Sequence, residues 1–83
     1  MTLREAYYRQ GRELAASSLK AEHAIVGFNP LTDLNLPTSY PLREVALEGL
    51  LLGFVSEARD RGWRCRFRSG VEVICWLPKE VTS

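Results

Sequence analysis

The sequence predicts an α+β fold: two helices followed by a C-terminal antiparallel β-hairpin packed on them, in the order α-α-β-β. Three observations lead there. Apolar residues recur at helical spacing over residues 3–26. A second apolar helical stretch covers 41–61, behind a connection rich in Pro and Asn. Apolar and charged residues alternate strictly from Trp63 to Arg68, with Ser69-Gly70 after them. Eighty-three residues suit a single domain over 1–83, and 46% apolar with 25% charged residues is the balance of a chain that folds.

The first helix opens at Thr2, which with Glu5 three residues on reads as a capping box, each side chain satisfying the other's backbone N–H. Leu3, Tyr7, Leu14, Ser18, Ala21 and Ile25 then share one stripe, widened by Ala15, Leu19 and Val26. Arg9, Arg12, Glu13, Lys20 and His23 lie opposite. The helix is expected to run to Val26, with Gly27 as its left-handed terminator and Pro30 barring continuation. A short strand at 24–28 is the competing reading.

Residues 27–40 carry Asn29-Pro30, Asp33, Asn35 and Pro37, the chemistry of turns, and predict a connecting loop. Leu31, Leu34 and Leu36 are expected to pin it onto the helices. The second helix, 41–61, begins near Tyr40 with Pro41 at the tolerated first position and stops at Gly62. Leu47, Leu51, Phe54 and Ala58 share one face, flanked by Leu50 and Val55, whereas Val45 and Leu52 lie on the far side. A helix apolar on more than one face is either central in the fold or half interface, so Val45 and Leu52 are candidate self-association residues of a homodimer. Gly49 and Gly53, one turn apart, each cost a helix interior ~1 kcal/mol against Ala, and a close neighbouring element is the expected compensation.

In the hairpin, 63–77, a two-residue Ser69-Gly70 loop would mix the faces. A three-residue loop, Arg68-Ser69-Gly70, pairs Phe67 with Val71, Cys65 with Val73 and Arg66 with Glu72. Trp63, Cys65, Phe67, Val71, Val73, Cys75 and Leu77 then make one apolar face. Arg64, Arg66, Glu72, Ile74 and Trp76 make the other.

Groups for catalysis are scarce. His23 is the single histidine and sits on a polar helix side. Cys65 and Cys75 form no CxxC pair and project onto the apolar hairpin face, where inert buried thiols are expected. Glu44 and Glu48 read as a solvated helix face. No Gly-rich phosphate loop is present, and no enzyme activity, cofactor or metal site is expected. No apolar run reaches the ~18 residues that span a bilayer. The N-terminus lacks an apolar core typical of a secretory signal, so a cytoplasmic protein without membrane contact is expected.

The uneven feature is charge. The total is +1, but residues 59–68 hold Arg59, Arg61, Arg64, Arg66 and Arg68 against Asp60 alone, a +4 segment beside a −3 remainder. Arginine suits forked phosphate and carboxylate recognition and stacks on planar groups. With Trp76 and Ile74 on the same strand face, the pattern suggests a platform for RNA or single-stranded nucleic acid. A protein surface of acidic complement fits the same residues.

Gly11-Arg12-Glu13-Leu14-Ala15, then Asn29-Pro30-Leu31, then Gly53-Phe54-Val55-Ser56-Glu57-Ala58 give residues 7–58 a resemblance to the small proteins related to ribosome modulation factor. Leu51 and Phe54 stand where that family has tryptophans, and Leu31 where it has tyrosine. Its basic N-terminal arm has no counterpart here, and the hairpin lies outside the pattern. The resemblance implies a two-helix unit that contacts ribosomal RNA or protein and has no enzymatic activity.

Together these features lead to a small non-enzymatic module that binds RNA or a ribonucleoprotein through Arg59, Arg61, Arg64, Arg66, Arg68 and Trp76. The rival is a protein-interaction inhibitor of the phage or mobile-element type, docking on a host complex that handles nucleic acid.

Overall fold

Thr2 caps helix α1 (Leu3–Ser18) in the computed structural model, which describes residues 2–20 and 22–78. The Glu5 backbone N–H donates to Thr2 Oγ1 at 3.2 Å, and the Thr2 hydroxyl donates to Glu5 Oε1, so the box closes between side chains. The helix ends eight residues short of the expected Val26; Ala21, also assigned to it, lies outside the described residues. Two consecutive serines weaken its end. Beyond them the β-branched pair Ile25-Val26 and the aromatic Phe28 form strand β1 (Ile25–Phe28) instead. The competing strand reading of 24–28 is the one the structure adopts.

Asn29 caps a single helical turn, α2 (Pro30–Asp33), inside the expected loop. Its side chain accepts from the Leu31 N–H at 3.0 Å, and Asp33 Oδ2 accepts from the Asn29 N–H at 3.1 Å. Leu34 and Leu36 pack against the core, holding the connection down. Helix α3 (Tyr40–Asp60) follows and ends in a Schellman motif. Gly62 sits at φ +85°, the Trp63 N–H reaches the Ala58 carbonyl at 2.9 Å, and the Gly62 N–H reaches that of Arg59 at 3.0 Å. The hairpin is strand β2 (Arg64–Arg68) and strand β3 (Glu72–Trp76).

The order is therefore α-β-α-α-β-β rather than α-α-β-β, and the hairpin is part of a three-stranded antiparallel sheet, β1-β3-β2. Val26 faces Cys75 and Phe28 faces Val73 across the β1–β3 pair. A third strand gives the hairpin the support that two strands alone lack.

α3 lies in the middle, which settles its two apolar faces. Toward α1 the contact is backbone to backbone. A methyl group added at Gly53 would overlap the Tyr8 carbonyl oxygen, and one at Gly11 would overlap that of Leu50. Gly49 abuts Arg4 and Tyr7, so both α3 glycines lie against a close neighbouring helix. Toward the sheet, Phe54 stacks on Phe28 with ring centroids 4.4 Å apart and planes within 8°, and Leu50, Leu51, Val55, Ala58, Trp63, Val73 and Cys75 complete the core. Val45 is half-buried, while Leu52 remains 43% exposed.

The hairpin register differs from the expected one by one pair. Phe67 faces Val73, Cys65 faces Cys75, Arg66 faces Ile74 and Arg68 faces Glu72. Ser69 (φ +55°) and Gly70 (φ +76°) both have the positive φ that the centre of a type I′ turn needs, and Val71 is left as an extra residue outside the ladder. The loop has three residues, as expected, but begins one residue later. A two-residue change of partner preserves which side chains share a face.

Candidate nucleic-acid interface

Side chains directly opposite one another in an antiparallel sheet project to the same face. The inner face holds Val26, Cys75 and Cys65 in one row and Phe28, Val73 and Phe67 in the next. The outer face holds Ile25, Trp76 and Arg64, then Gly27, Ile74 and Arg66, then Glu72 and Arg68. Trp76 therefore lies between an aliphatic residue and an arginine, with Ile74 and Arg66 in the adjoining row. Ile25 is 68% exposed and Trp76 and Ile74 are half-buried, so this face carries accessible apolar surface beside its cations. At Gly27 a side chain would meet nothing within 4 Å, which leaves that side of Ile74 open.

The electrostatics separate the arginines. Arg64 and Arg66 are exposed and make no ion pair among the described residues, whereas Arg68 lies 3.8 Å from Glu72. Arg59 and Arg61 belong to the helical layer. Arg61 Nε holds Glu57 Oε2 at 2.6 Å, and Arg59 is an exposed residue of the last turn of α3. The structure thus assembles Arg64, Arg66, Arg68 and Trp76 of the expected set on one face and places Arg59 and Arg61 apart from it. A shallow hollow of about 440 Å³ at the hairpin end is lined by Arg66, Phe67, Arg68, Ser69 and Ile74.

Glu72 apart, the acidic side chains that hold a partner among the described residues lie off this face. Arg12, on α1, donates to Glu57 at 3.2 Å, to Asp60 at 2.6 Å and to the Tyr8 hydroxyl at 3.3 Å, tying the two long helices together. Arg61, then Arg12, hold the Glu57 carboxyl below the ordinary glutamate value against the opposing effect of burial. Glu48 pairs with Arg4 at 2.9 Å, and Glu44 accepts from the Tyr40 hydroxyl at 3.0 Å. His23 is exposed beside Glu22. Among the described residues no three His, Cys, Asp or Glu side chains gather as a metal site, and no helix is long and apolar enough to cross a membrane.

Two contributors escape the sequence reading. Ile25 joins the face once 25–28 is a strand; the run of β-branched residues there was the available signal. A groove of about 340 Å³ between α3 and the hairpin is lined by Leu47, Leu51, Leu52 and Phe67, with Glu44 and Glu48 at its rim. Phe67 is 47% exposed there because α3 does not cover the end of the inner sheet face. Comparisons with family models, with curated proteins and with solved structures find no match to this chain.

Proposed function

We propose that the protein is a non-enzymatic binding module that engages single-stranded RNA, alone or within a ribonucleoprotein, on the outer face of its sheet. One observation carries this reading: Trp76 stands in a row with Arg64, next to Ile74 and Arg66, and neither arginine has an acidic partner among the described residues. An indole offers any base a stacking surface, and the guanidinium groups along its β2 side suit the neighbouring phosphates. Arg59 contributes long-range attraction rather than contact, whereas the charge of Arg61 is matched by Glu57.

Fluorescence anisotropy with a labelled single-stranded oligoribonucleotide tests this. The Arg64→Ala, Arg66→Ala double variant is expected to lose roughly tenfold or more in affinity while keeping the native circular dichroism spectrum, since both side chains are exposed. Trp76→Ala is expected to lose roughly 1–3 kcal/mol of binding. Equal affinity in the double variant and the parent defeats the proposal.

The groove at Leu52 and Phe67 favours a second reading, docking on a protein partner as an inhibitor, since exposed apolar side chains rimmed by polar groups suit protein contacts. Capture of one defined partner that survives nuclease treatment and is lost in Phe67→Ala selects it.

A further inference from the structure

The two cysteines are separated by ten positions in sequence, yet the observed register sets them directly opposite each other on β2 and β3. Their sulfur atoms are 3.1 Å apart on the inner sheet face. We propose that Cys65 and Cys75 are a cross-strand dithiol which a small-molecule disulfide of the glutathione class oxidises to an intramolecular disulfide within the folded protein.

The geometry is permissive. Directly opposed residues of an antiparallel pair have Cα atoms about 4.5–5.5 Å apart, inside the roughly 4.4–6.8 Å range of disulfides. Access differs between the thiols. Cys65 lies on the edge strand and is half-buried; Cys75 lies on the central strand and is fully buried. Reaction therefore starts at Cys65. Its thiolate attacks one sulfur of the oxidant, forming a mixed disulfide and releasing one small thiolate. Cys75 then gives up its proton to solvent and attacks Cys65 Sγ, forming the cross-strand bond and expelling the second small thiolate. Two electrons pass from the protein thiols to the oxidant, which leaves as two reduced thiols once protonated. Burial, and then the neighbouring Cys65, push the Cys75 thiol up, so little of it is thiolate near neutral pH and resolution of the adduct quickens as pH rises. The bond ties together the two strands that carry Arg64, Arg66 and Trp76, although the proposal stands independently of what that face binds.

The full chain is incubated with oxidised glutathione and followed by intact mass and thermal melting. The expected product has lost two hydrogens, remains monomeric in covalent terms, passes through a glutathione adduct that is shorter-lived at higher pH, and melts about 10 °C higher than the reduced form. Cys65→Ala, at the half-buried position, is expected to keep the native circular dichroism spectrum and to take up no glutathione. A lasting glutathione adduct on the parent chain, a disulfide-linked dimer or an unmodified chain overturns the proposal. So does an oxidised form that melts no higher than the reduced one, since the native strands would then not accommodate the bond.

Discussion

Gly53 has no room for a side chain: the Tyr8 carbonyl of α1 occupies the space a methyl group would need. Ala gains ~1 kcal/mol over Gly in helix propensity, whereas overpacking against a rigid backbone costs about 1–3 kcal/mol or more. The clash is with backbone that cannot rotate away, so Gly53→Ala is expected to destabilise the fold by about 2 kcal/mol or more, read as a lower urea midpoint. The cost of two glycines in a helix was visible in the sequence, and with it the need for a close neighbour; which element would be the neighbour was not. Glu57 is a second residue with a stated consequence. Arg61 and Arg12 lower its folded pKa, so its contribution is fully present above the ordinary glutamate value and is lost as pH falls through the lower, folded value. The melting temperature is expected to drop as the solution is acidified through that window, and Glu57→Gln is expected to flatten part of the drop. An identical pH profile for both proteins would contradict the role given to this carboxylate.

The elements show where periodicity stops being decisive. Positions 18, 21, 25 and 26 fit a helical stripe, but Ile25, Val26 and Phe28 also suit a strand, and their partner, β3, lies more than forty residues along the chain. Local pattern carries no information about so distant a ladder, so a sixteen-residue helix and a strand read as one long helix. α3 was legible to within a residue because Pro41 and Gly62 mark both of its ends. In the hairpin, alternation specified the faces but not the partners, since moving the loop by one residue keeps every side chain on its side. What chose the register is the turn, with Ser69 and Gly70 both at positive φ. Serine is poorly suited there, and Asn-Gly is the favoured pair for such a turn. Ser69→Asn is therefore expected to stabilise the protein by about 0.5 kcal/mol, as a higher urea midpoint with an unchanged slope.

At the scale of the whole molecule, helices and sheet divide the charge between them. Arg12, Arg61 and Arg4 are matched with Glu57, Asp60 and Glu48 in the helical layers, which leaves the sheet's outer face with Arg64 and Arg66 beside Trp76. The sequence marked the arginine run and its place on the hairpin, because composition alone exposes a +4 segment. It could not separate the arginines of that run: Arg61 turns back onto Glu57 at the end of α3, whereas Arg64 and Arg66 stand exposed on a sheet whose third strand is distant in sequence. The most direct test is the salt dependence of RNA binding. Three phosphate contacts, from Arg64, Arg66 and Arg68, predict that affinity for single-stranded RNA falls with a log–log slope of about −2, roughly fourfold per doubling of salt. In the Arg64→Ala, Arg66→Ala variant the slope is expected to shrink to about −0.7, the value for one remaining contact. A parent protein whose binding ignores salt, or a variant that keeps the parent's slope, would contradict the assignment of this face.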